Sequence, residues 1–267
     1  MRKAIAPLLY LSILTVLLPS TLLAAKEQIA PWQNPAYIQK AFNEIALKNE
    51  YKKTNMAVLK WKHPIRYQYI YHEMPKNPLV ESVYEAHLEH LHQITGHPFH
   101  HLATNSKIKP NLTIHFTRDE SYGRVIKEHT KSKVKNIERE SNCMGSFSRN
   151  RKNEITSAVI IIPTDHVYSR GLLVACVVEE TTQIMGLPND SDWVNPSIAN
   201  DASKIELLTG LDYLFLKILY DKRLSIGMPF KQNQEVIKTV VRELQRAGEI
   251  KAAARKVNQL GLYPLLN

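Results

Sequence analysis

Residues 177–190 read VVEETTQIMGLPND. Apolar residues at Leu172, Cys176, Val177, Ile184 and Leu187 recur at helical spacing, so the sequence predicts a helix over 170–186. Gly186 is placed to end it, with Pro188 just beyond. Glu179 and Gln183 are four residues apart and share one helical face. Glu180 falls on the stripe of Cys176 and Ile184, so one carboxylate is expected to be partly buried. Asn189 and Asp190 follow directly after the turn expected at Gly186. The stretch therefore gathers polar side chains where a helix meets a turn.

Outward from this helix the periodicities change. Residues 36–49 read as a helix, with Ile38, Phe42 and Ile45 on one face. Residues 58–70 alternate as a strand, with Pro64 arguing for an edge or a bend. Residues 79–94 are helical, 111–117 form a half-buried strand, 121–138 a polar, basic helix, and 156–163 a short buried strand. Beyond the motif, Thr209 and Asp212 spell a capping box that opens a helix to Tyr220. Residues 234–257 are amphipathic and helical, with Gly248 as a break. Helices alternating with strands, then helices alone, predict an α+β fold: a small mixed sheet with the motif helix at its junction with a helical C-terminal half. The expected divisions are 1–25, a 26–54 extension with a helix, a 55–190 α/β half and a 191–267 helical half.

The chain has 267 residues, 44% of them hydrophobic and 22% charged, enough to bury a full core. Arg2 and Lys3 precede an apolar run over residues 8–18, and small residues lead up to Ala25. This is the pattern of a secretory signal peptide, with a retained N-terminal anchor as the alternative. A secreted or periplasmic location follows, with no integral membrane span once the leader is removed. The only two cysteines, Cys143 and Cys176, form an even pair; in an exported chain this favours one disulfide over two buried thiols. Much of the basic excess behind the net charge of +10 lies in 127–135, including Lys131, Lys133 and Lys135. That run is either a solvated helix or a surface for anionic envelope polymers. It lacks interleaved aromatics, no nucleotide fingerprint occurs, and nucleic acid is not expected as a partner.

The motif spacing, E-E-x-x-Q-x-x-G-x-x-N, is that of the zinc-peptidase helix H-E-x-x-H-x-x-G-x-x-H with each ligand histidine replaced. Glu179, Gln183 and Asn189 stand in the ligand slots and Glu180 in the general-base slot. The helix and turn resemble the metzincin branch. The stretch from Cys176 through the motif to Asp190, then Pro196-Ser-Ile, Asn200-Asp201, Leu208-Thr-Gly-Leu-Asp212, Leu219-Tyr-Asp-x-Arg-Leu224 and Gly227-Met228, is similar to a proteobacterial exported family, domain of unknown function 2927. The resemblance implies a zincin-like fold, an envelope location and no assigned activity.

Zinc prefers imidazole and thiolate, and one carboxylate with two neutral amides is a weak set for it. Without the metal, moving a proton from bulk water to a glutamate is uphill by roughly 15 kcal/mol; a zinc-bound water cuts this to roughly 4 kcal/mol. Glu180 alone is a poor hydrolytic base. The amides of Gln183 and Asn189 carry NH2 donors, so a metal-free polar clasp onto the Glu179 carboxylate is expected, with Asp190 beside it. No metal or cofactor is assigned; zinc and calcium stay open, calcium because Asp190 and Asp192 add oxygens. His87, His90, His92, His97, His100 and His101 cluster in sequence, but the three on the 79–94 helix lack a ligand pair four apart, and His115 and His166 read as single structural or exposed residues. The resulting expectation is a non-catalytic envelope or peptide-binding protein, with a cleft beside residues 158–162 for an extended peptide. Its alternatives are a metal-dependent hydrolase with Glu180 as base, and a basic module for anionic polymers.

Overall fold

The alternation at 111–117 becomes β4 (Leu112–Thr117), which lies in the middle of the sheet. The structure is a computed structural model and describes residues 30–48, 57–132 and 136–266. The leader expected at 1–25, and Lys133 and Lys135 of the basic run, lie outside the described residues.

Pro64 splits the strand expected over 58–70, because it has no N–H to give a ladder. The pieces are β1 (Lys60–Trp61) and β2 (Ile65–Tyr71). The helix α2 (Pro78–Thr95) follows and leads into β3 (Phe99–His101). After β4 comes α3 (Asp119–His129), which stops nine residues short of the expected helix end; a short helix, α4 (Ile137–Glu140), follows. The strand β5 (Met144–Arg149) turns back into β6 (Glu154–Pro163). The hydrogen-bonded order is β1-β6-β4-β2-β3, all parallel, with β5 antiparallel on β6.

Both faces of this parallel sheet are covered, as such sheets require. On one face Leu112, Ile114, Phe116, Ile160 and Ile162 meet Tyr84, Leu88 and Leu91 of α2. On the other, Ile161 packs with Tyr122, Val125 and Ile126 of α3. Tyr67 and Tyr69 turn into the first core, so the alternating tyrosines of β2 are mostly packing.

The remaining elements are helical: α1 (Pro35–Leu47) before the sheet, then α5 (Thr164–Ser169), α6 (Leu173–Gln183), α7 (Gly210–Leu219), α8 (Phe230–Arg246), α9 (Glu249–Asn258) and α10 (Tyr263–Leu266). Gly248 separates α8 from α9 in a left-handed conformation, as its position in the sequence suggested. Side-chain amides of Asn43 and Gln234 bond each other reciprocally at 2.8 and 2.9 Å, joining α1 to α8.

The capping box at α7 is present and carries more than the helix end. The Asp212 carboxylate, 2% exposed, accepts from Ser197 Oγ at 2.6 Å, the Ile198 amide at 3.2 Å, and the amide and hydroxyl of Thr209, both at 2.8 Å. It holds the 195–200 turn and the start of α7 to one point. Burial pushes this carboxyl up, and the bonds from Ser197 and Thr209 pull it back. Asp212→Ala would leave several buried donors without an acceptor, so its expected cost is about 3–4 kcal/mol. The urea midpoint measures this; a loss below about 1 kcal/mol would show that water replaces the carboxylate.

Candidate functional site

The motif helix is α6, three residues shorter than expected at each end. It starts late because the chain first turns at Gly171, φ +71°. It ends at Gln183, and the turn through Gly186 (φ +112°) carries the chain to Asn189.

Each ligand-slot residue has a defined place. The Gln183 amide donates to Asp190 Oδ1 at 2.8 Å. The Asn189 amide donates to the Glu44 carbonyl at 3.1 Å and to the Asp190 carbonyl at 2.8 Å. The Asn189 backbone N–H donates to the Ile45 carbonyl at 3.2 Å. Glu44 and Ile45 belong to the last turn of α1, whose carbonyls have no partner within the helix. Asn189 thus satisfies the end of α1 with both its backbone and its side chain. Both hydrogens of its amide are committed to these two carbonyls, so the turn after the motif helix is tied to Asp190 and to the end of α1. Position 189 gave no hint of this acceptor, which lies 145 residues away in sequence.

Glu179 is half-buried, and its carboxylate lies near those of Asp190 and Asp201, one oxygen of each within 4.8 Å of the others. Asp201 was read only as part of the family pattern. Burial, then the charge of Asp192, pushes the Asp201 carboxyl up.

Glu180 is buried as its stripe position predicted, at 7% exposure. The edge strand β5 passes directly over it. A Cβ at Gly145 would lie 2.7 Å from Glu180 Oε2 and 3.2 Å from its carbonyl oxygen, so a larger residue there would have to displace the Glu180 side chain. The phenols of Tyr84 and Tyr122 are pushed up, mainly by burial and further by the charge of Glu180. One turn before Glu180, Cys176 is bonded to Cys143 at the head of β5. The disulfide staples the edge strand to the motif helix and closes a 33-residue separation, for which chain entropy gives about 3–4 kcal/mol. It fits an oxidising, extracytoplasmic compartment. Among the described residues no helix is long and apolar enough to cross a membrane.

The cleft expected beside residues 158–162 is not open. Ala158 pairs with Leu112 of β4 on one side and Phe147 of β5 on the other, and Ile161 pairs with His115 and Met144. Both edges of that segment are taken, so an extended peptide cannot add to it. A cleft of about 410 Å³ lies instead at the β2–β3 side, lined in part by Gln68, Tyr71, Lys76, Glu81 and His101. One of about 370 Å³ lies by Trp61, Arg66 and Glu154. Neither contains a residue of the motif.

His87, His90 and His97 are buried, while His100 and His101 are exposed. His87 Nε2 lies 3.3 Å from Thr182 Oγ1, packing α2 behind the motif helix.

A family model described as Protein of unknown function (DUF2927) matches residues 35–239. The chain belongs to this family. The match runs from the first residue of α1 into α8, so both partners of the Asn189 contact fall within the DUF2927 region. No curated protein matches the chain.

Proposed function

We propose that this DUF2927 protein is an exported, periplasmic, zincin-like scaffold whose former metal face has become a structural joint, and that it serves the envelope by binding rather than by hydrolysis. The commitment of Asn189 carries this reading. The residue in the third-ligand slot spends its amide and its backbone N–H on the end of α1 and on Asp190. Two further observations agree with it. Glu180, in the general-base slot, lies buried beneath β5. A mixed sheet with one antiparallel edge strand beside the motif helix suits a zincin-like scaffold. The donor set does not fit zinc: no imidazole or thiolate is among the slot residues, and both neutral amides already serve as donors. No hydrolytic step is therefore assigned to Glu180.

A second reading has one observation in its favour. The convergence of Glu179, Asp190 and Asp201 offers hard oxygen donors of the kind calcium takes. Metal analysis with thermal melts on untagged protein decides between the two. The scaffold reading expects no metal that is lost on Glu179→Ala, melts unchanged by added calcium, and an Asn189→Ala variant less stable by about 2 kcal/mol. A stoichiometric cation lost on Glu179→Ala would replace it with the cation-dependent reading.

A further inference from the structure

Away from the motif, three histidines from three elements converge. His72 directly follows β2, His115 lies within β4 and His129 ends α3. The parallel register sets Ile70 against His115, and the His72 N–H donates to the Phe116 carbonyl at 2.9 Å, extending the ladder by one residue. His72 and His115 therefore project from the same face of the sheet, the one that α3 covers. His72 Nε2 and His115 Nδ1 are 2.8 Å apart. The His115 and His129 rings have centroids 4.2 Å apart, and one nitrogen from each of the three rings falls within 4.8 Å of the others.

We propose that His72, His115 and His129 form a binding site for a divalent transition cation of the zinc or copper type. Imidazole is the ligand such borderline cations select. Tetrahedral zinc with bonds of about 2.0–2.1 Å holds its ligand nitrogens about 3.3 Å apart, so the His72–His115 pair needs to widen by only about half an ångström. His115 Nε2 lies 3.0 Å from Thr113 Oγ1. That contact orients the ring and, with the proton on Nε2, leaves Nδ1 as the lone pair facing His72.

Burial grades outward, with His115 1% exposed, His72 intermediate and His129 exposed, so the cation enters from solvent and a water can fill the fourth position. The last turn of an 11-residue helix adds a negative dipole end beside the site. Among the described residues Arg124 is a cation near the site, and it faces two carboxylates, Glu73 at 3.4 Å and Glu128 at 3.5 Å. The site is unrelated to the motif helix, so its fate does not decide the scaffold reading.

Full-length protein without a histidine tag, stripped with EDTA, is titrated with zinc chloride against a chromogenic chelator. One equivalent should bind at micromolar affinity or better. His129→Gln and His72→Gln should each weaken binding by more than about tenfold, and Thr113→Val, which only releases the His115 ring, by about tenfold. His129 is exposed and His72 only half-buried, so these two variants keep the test valid even where a change at buried His115 does not fold. No binding, unchanged affinity in both His129→Gln and His72→Gln, or loss confined to Glu179→Gln would each overturn the assignment.

Discussion

Acidification from pH 7 to pH 5 is expected to remove much of this protein's stability. Burial lowers the pKa of His87 to about 3, helped by neighbouring His90; it lowers His90 and His97 each to about 4. In the unfolded chain these imidazoles titrate near 6.5. Between about pH 6.5 and 4 the unfolded chain therefore binds protons that the fold refuses, and stability falls as pH falls. Each such group contributes about 1.4 kcal/mol per pH unit, so three together approach about 4 kcal/mol per unit near pH 5. Against a total stability of about 10 kcal/mol, the unfolding midpoint should lie at about pH 4–5. Asp221, held low by the Arg223 guanidinium, works in a separate window, with its stabilisation lost only on going below about pH 4. Denaturant titrations at stepped pH measure the slope. His90→Leu should flatten it by about one proton. Stability constant from pH 7 to pH 5 would falsify the account.

Gly186→Ala should be among the most damaging single substitutions in the chain. At φ +112° the backbone occupies a region that residues with a Cβ rarely enter. An added Cβ would lie 2.1 Å from the Leu59 carbonyl oxygen and 3.0 Å from its carbonyl carbon. Those atoms are backbone, next to β1, whose pairing with β6 fixes their position. Neither side can give without moving α6 or the sheet edge. The expected cost is about 4 kcal/mol or more, a fall in Tm on the order of 10 °C. Gly96→Ala is the control. Its φ is also positive, at +70°, yet a Cβ there meets nothing within 4 Å, so only the backbone penalty of about 1 kcal/mol applies. Equal losses in the two variants would show that backbone conformation, not the contact with Leu59, sets the cost.

Where local physics decides the outcome, the sequence was readable. The apolar stripe of α2, the Thr209–Asp212 box, the break at Gly248, the pairing of Cys143 with Cys176 and the burial of Glu180 all follow from spacing, capping or parity within short windows. Where a distant partner decides, it was not. Phe99–His101 is too short to show a period, and Met144–Arg149 is polar and glycine-containing; each becomes a strand through its neighbour in the sheet. The cleft expected at 158–162 is filled by β5 for that reason. Asn189 was recognisable as special, but its acceptors are carbonyls of α1. The trio of His72, His115 and His129 spans two strands and a helix end, with no linear spacing to betray it.

The staple between Cys143 and Cys176 also bears on where the chain can be made. It holds down the strand that covers one edge of β6, whose run Val159-Ile-Ile-Ile162 is strongly apolar and β-branched. In a cytosol that keeps thiols reduced, β5 is free to peel away and that edge becomes a template for a neighbouring chain. Recombinant material made there should collect as insoluble aggregate, while export to an oxidising space should keep it in solution.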